Sequence, residues 1–158
     1  MNKALFGRSA LFAAAAAIWM SSSVQAAGPY QFFPVTPCRV VDTRGPVGLT
    51  GGPALFANTT RSFPVVNSCG VPNTAKAAAL NVTVVGPTDY GDLRVFPSST
   101  PVPLASVINF TTADFAVANG AIIPLSNIGG FDITVQTDMS AGSNGTAHLV
   151  LDVTGYFQ

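Results

Sequence analysis

Beyond residue 30 the chain is written in short apolar runs whose positions alternate with polar ones. In Leu80-Asn81-Val82-Thr83-Val84 the even positions are apolar and the odd ones polar, and Phe131-Asp132-Ile133-Thr134-Val135-Gln136 keeps the same rhythm with opposite parity. Successive side chains of an extended strand point to opposite faces, so each run predicts a strand with one buried and one wet face. On this basis eight strands are predicted, near Arg39-Thr43, Arg61-Val66, Ala77-Val85, Leu93-Phe96, Val107-Thr111, Ala121-Leu125, Phe131-Gln136 and Ala147-Thr154. Gly86-Pro87-Thr88-Asp89-Tyr90-Gly91, Gly129-Gly130 and Ser143-Asn144-Gly145 supply turn chemistry between them. Ala75-Lys76-Ala77-Ala78-Ala79 has helix propensity, but the alternating segment follows with no cap or break, which favours a strand. Gly45-Thr59 carries Gly, Pro and Asn without periodicity and reads as a long surface loop.

Short strands with turn residues between them predict an all-β chain: a single antiparallel β-sandwich, jelly-roll or Greek-key-like, of about eight strands. The sandwich is expected over 38–158, behind an apolar lead segment over 27–37. A membrane barrel fits poorly, because most of the runs fall short of the roughly 9–11 residues a spanning strand needs and the prolines interrupt a lipid-facing wall.

Residues 1–26 have a different pattern. Lys3 and Arg8 precede an apolar run from Ala10 to Met20, and Val24-Gln25-Ala26 closes it with small residues. This is the order of a secretory signal peptide, with cleavage expected before Ala27. The apolar run is well short of the roughly 20 residues of a spanning helix, so no transmembrane anchor is expected and the protein reads as secreted, extracellular or associated with the cell surface.

Composition narrows the field. Only 9% of residues are charged against 48% hydrophobic, glutamate is absent, and beyond residue 26 the acids outnumber the bases by two. No basic patch exists for nucleic acid. Cys38 and Cys69 both fall in the exported part with no odd thiol, which predicts a disulfide between them. One pair without CxxC spacing or neighbouring histidines does not read as a metal or redox site. In the entropic model such a bridge stabilises a small domain by about 3–4 kcal/mol.

Phe33-Pro34-Val35-Thr36-Pro37-Cys38-Arg39-Val40-Val41-Asp42-Thr43-Arg44 resembles the start of a widespread family of exported bacterial β domains that open with Pro-Cys-Arg-x-x-Asp-Thr-Arg. Similar blocks follow in order: Cys69-Gly70-Val71-Pro72, Ala79-Leu80-Asn81-Val82-Thr83-Val84, Val95-Phe96-Pro97, Ile108-Asn109-Phe110, Ile123-Pro124-Leu125, and the close His148-Leu149-Val150-Leu151-Asp152-Val153-Thr154-Gly155-Tyr156-Phe157. The resemblance covers nearly all of residues 32–158. It implies an exported β fold found alone, repeated in surface proteins or appended to secreted enzymes, and it carries no catalytic or binding residues across.

Candidate chemistry is sparse. Arg39, Asp42 and Arg44 offer guanidinium and carboxylate groups to an anionic or sugar ligand. The competing reading is structural: on a regular strand Arg39 and Asp42 face opposite ways while Asp42 and Arg44 share a face, so the latter pair pins the strand end. Tyr90 and Phe96, beside Arg94, are candidates for stacking on sugar rings. Asp89 and Asp92 flank a Tyr-Gly turn and are weak candidates for Ca²⁺, two carboxylates being too few for a site. His148 shares a strand face with Val150 and Asp152, but a residue four along a strand is roughly 13 Å away, too far for an acid–base pair. No Gly-x-Ser-x-Gly elbow is present and no cofactor is implied.

The expected function is therefore a non-enzymatic structural or adhesive surface module, with a glycan-binding module of the cell envelope or extracellular polysaccharide as the alternative; residues 27–35 read first as packing back on the same domain, and second as a donor strand through which copies self-assemble. The partners expected are the chain itself or a cell-surface glycan.

Overall fold

A computed structural model describes residues 28–126 and 130–158; the signal peptide expected over 1–26 and Gly129 of the expected Gly129-Gly130 turn lie outside the described residues. The described residues form nine strands: β1 (Phe32–Asp42), β2 (Leu55–Phe56), β3 (Thr59–Phe63), β4 (Ala77–Val85), β5 (Gly91–Pro97), β6 (Ile108–Phe110), β7 (Ala116–Pro124), β8 (Ile133–Met139) and β9 (Thr146–Phe157). All eight expected strands are found, β4 with the bounds the alternation gave it, and the described residues contain no helix. The ninth, β2, lies inside the stretch expected to be loop, where Leu55 and Phe56 pair with Ala147 and Thr146.

The strands form two antiparallel sheets, ordered β1-β9-β4-β7 with β2 also on β9, and β3-β8-β5-β6. With the two-residue β2 set aside, the first strand pairs with the last, β3 with β8, β4 with β7 and β5 with β6. That is one long hairpin rolled so that β9 also meets β4 and β8 meets β5. The topology is a jelly roll.

The core lies between the two inner faces. Ala78, Leu80, Val82 and Val84 of β4, with Ala147, Leu149, Leu151 and Val153 of β9, face Phe63, Leu93, Ile133 and Val135 from the other sheet, and all are buried. Each large apolar side chain so buried contributes about 1.5–3 kcal/mol relative to exposure. The parity expected of β4 and β9 therefore holds. In β8 it holds for Ile133 and Val135 but not at its entrance, where Phe131 is exposed and Asp132 is 2% exposed. The strand starts only at Ile133, and the Asp132 carboxylate accepts hydrogen bonds from the backbone N–H of Val65 (2.6 Å) and Val66 (2.8 Å), tying down the chain as it leaves β3.

Cys38 and Cys69 form the expected disulfide, with Cα atoms 5.7 Å apart, linking β1 to the segment ahead of β4. The second half of the lead segment belongs to the fold. Phe32, Phe33 and Pro34 pair with Phe157, Tyr156 and Gly155, and Gln31 and Gln158 exchange backbone hydrogen bonds of 2.9 and 3.1 Å.

Candidate functional site

The Arg39, Asp42 and Arg44 group sits at the end of β1, on the outer face of the five-stranded sheet. Arg39 pairs with Asp152 of β9 and Val41 with Leu151, so Val40 is an extra residue with no partner. Such a bulge shifts the alternation by one. It corrects the expectation that Arg39 and Asp42 face opposite ways: Arg39 Nη1 reaches Asp42 Oδ2 at 3.3 Å, and Arg39 Nε and Nη2 donate to Asp152 at 2.9 and 3.2 Å. Arg44 closes the group, its Nε and Nη2 donating to the two Asp42 oxygens at 2.8 and 2.6 Å and its backbone N–H to Oδ1 at 3.1 Å.

Two guanidinium groups thus share two carboxylates in a charge-balanced row. The Arg44 hydrogen bonds, foremost that of its side chain, hold the Asp42 carboxyl well below the usual carboxylate range, and Arg39 adds to this. The hydrogen bonds that Arg39 donates to Asp152 raise the arginine in turn. Both arginines remain about half exposed, so each ion pair is screened by water and contributes little alone.

A second polar group occupies the outer face of the four-stranded sheet. Asp92 of β5 stands directly opposite Asp138 of β8, and Arg94 stands opposite Gln136. Arg94 Nε bonds Asp92 Oδ1 at 3.3 Å, and Gln136 Nε2 donates to Asp138 Oδ1 at 2.9 Å. Arg94 Nε also lies 3.0 Å from Asp138 Oδ2, but Oδ2 has no aligned hydrogen bond, so charge rather than a directed bond joins them. Like charges placed opposite each other on a sheet repel, and Arg94 between the two aspartates neutralises that repulsion.

The aromatic candidates part company here. Tyr90 is 63% exposed at the approach to β5, whereas Phe96 is 5% exposed and cannot stack on a sugar. Strand parity alone puts Phe96 on the outer face, but the chain after β5 returns across that face, where Arg94 Nη1 donates to the Pro103 carbonyl at 3.2 Å.

Asp89 and Asp92 also separate. Asp89 accepts from Ser140 Oγ at 2.9 Å and from the backbone N–H of Tyr90 at 2.8 Å; hydrogen bonds from Ser143 and then Ser140 hold it below its ordinary value. Among the described residues no three His, Cys, Asp or Glu side chains converge as a metal site would require. His148 Nδ1 lies 3.1 Å from the Thr43 carbonyl and 3.3 Å from Thr43 Oγ1, while Asp152 is engaged with Arg39.

Arg61 was not singled out by its sequence context. It extends from β3 across the Phe63 ring, 4.9 Å from its centroid, and donates to the carbonyls of Gly48, Gly51 and Pro53 at 2.7, 2.7 and 2.8 Å. A Gly/Pro loop full of carbonyls that lack ladder partners is the signal for such a donor. Comparison of the chain with family models, curated proteins and solved structures finds no match.

Proposed function

We propose that this chain is an exported, non-enzymatic module that serves a structural or adhesive role at a cell surface or in the surrounding matrix. The observation that carries this reading is where the charges go. Arg39, Arg44 and Arg94 are satisfied by Asp42, Asp152, Asp92 and Asp138, while Arg61, Asp89 and Asp132 are spent on backbone or turn groups. These groups hold strands and loops together, and among the described residues they leave no nucleophile, base and acid assembled around a common point. The jelly roll, the disulfide and the resemblance of the opening and closing blocks to exported bacterial β domains all favour the same role.

A glycan-binding module is the second reading, favoured by the exposed ring of Tyr90 at the start of the strand that carries Asp92 and Arg94. One experiment separates the two. Cells expressing the full chain are fractionated, and the recovered protein is passed over a glycan array and a panel of polysaccharide substrates. Recovery from the medium or the cell surface, with neither turnover nor saturable binding, supports the structural role. Saturable binding that Tyr90→Ala abolishes replaces it with the second reading, and turnover overturns both.

A further inference from the structure

We infer that the free edge of β7 is a self-pairing edge, along which a second copy of this chain adds antiparallel about a two-fold axis and continues the five-stranded sheet; the inference rests on the structural role proposed above. Among the described residues, and with the two-residue β2 beside β1 set aside, the two sheets end in four edge strands, β1, β7, β3 and β6. Edge strands are templates for foreign strands, and proteins blunt them with prolines, charges, bulges or shortness. Three of the four are blunted. β1 carries Pro34, Pro37, Arg39 and two register shifts; β3 carries Arg61, which gathers the loop at 48–53; β6 is three residues long.

β7 has none of these devices. Ala116-Val117-Ala118-Asn119-Gly120-Ala121-Ile122-Ile123-Pro124 pairs with β4 residue for residue without a shift, and its one proline is the last residue. No described strand lies on its other side. Apolar groups flank the edge in the open, Ile122 at 62% exposure and Phe115, just before the strand, at 85%. Asn119 Nδ2 donates to the Val107 carbonyl at 2.7 Å, so the strand is also tied across the open side of the sandwich and held in place for pairing.

The absence of charge selects the occupant. Across a two-fold axis every charged residue near the centre meets its own copy, and like charges opposite one another disfavour pairing. Nine uncharged residues satisfy that condition, while they offer an oppositely charged partner nothing to recognise. One strand pair with two flanking apolar residues is a small interface, so the dimer belongs to the weak, concentration-dependent class.

The test is sedimentation of protein recovered from cells expressing the full chain, from micromolar to millimolar concentration, beside the Ala118→Lys/Gly120→Lys and Ala118→Asp/Gly120→Asp variants. Both positions are exposed, and a Cβ at Gly120 meets nothing within 4 Å, so the fold accommodates them. The expected result is a dimer that grows with concentration in the unaltered chain, is lost in each variant alone, and returns when the two variants are mixed. A monomer at every concentration, or a dimer indifferent to both variants, overturns the self-pairing edge. A monomeric, surface-located chain without glycan binding removes only this inference, whereas saturable glycan binding removes the structural role beneath it.

Discussion

Phe33 and Tyr156 stack with ring centroids 5.2 Å apart and planes 14° from parallel, and beside them Phe32 leans on Phe157 at the same separation. The lead segment and the closing Gly155-Tyr156-Phe157 block are thus two sides of one aromatic seam. Phe32 reaches over Gly155, so the glycine is where a ring rather than a side chain of β9 fills the surface.

Gly155→Ala tests that seam. A Cβ at this position would overlap the Phe32 ring and lie 2.8 Å from the Phe33 carbonyl oxygen. We expect a loss of about 1–3 kcal/mol, the usual cost of overpacking, read from the urea midpoint. Adding Phe32→Ala removes the ring clash but not the carbonyl contact, so the double variant should lose less than the sum of the single changes.

Asp132→Ala should be more damaging than its place beside a strand suggests. It leaves the Val65 and Val66 N–H groups without their acceptor in a buried setting. The expected loss is about 2–4 kcal/mol, with hydrogen exchange at those two amides accelerating before the rest of the sheet opens.

Stability should decline in acid. Asp42 and Asp89 are held below the ordinary value of 3.8, so the folded protein binds fewer protons than the unfolded chain. Their contribution is fully present above about pH 5, where both states are ionised, and is lost as the pH falls through 3.8 towards the folded values. Asp42→Asn should therefore flatten the acid limb of a stability–pH profile and lower the neutral plateau. An unchanged limb would show that the Arg44 contacts do not persist in solution.

Arg61→Lys should free the loop at 48–53 while leaving the sandwich intact. One ammonium cannot reproduce a planar fork that serves three carbonyls and lies over a ring. Limited proteolysis is expected to cut this loop several-fold faster in the variant, with little change in the global unfolding midpoint.

Most of the strands were legible because their burial is one-sided, and a period of two survives wherever a ladder is regular. It fails where the ladder is not. Val40 adds one residue to β1 and reverses the facing of everything beyond it, which brought Arg39 to Asp42 against expectation. Pro34 and Pro37 hid the first half of β1, whose other register shift lies between Pro34 and Cys38. Phe96 and Asp132 depart from parity for a different reason: the chain just after β5 turns back over the face that carries Phe96, and Asp132 serves as acceptor for Val65 and Val66, 67 and 66 positions away. The Arg39, Asp42 and Arg44 group was visible as a motif, but its fourth member, Asp152, lies 113 positions from Arg39.

The exchange of hydrogen bonds between Gln31 and Gln158 has a mechanical side. β1 and β9 run antiparallel, with these two residues at the same end of their ladder. Tension applied through positions 31 and 158 therefore peels the ladder open one rung at a time, starting at the Phe32 and Phe157 pair, instead of loading all rungs together. At Cys38 the disulfide passes the load to Cys69, so the rungs of Arg39, Val41 and Asp42 are spared. Only the few rungs between Gln31 and Cys38 are thus open to peeling under such a pull.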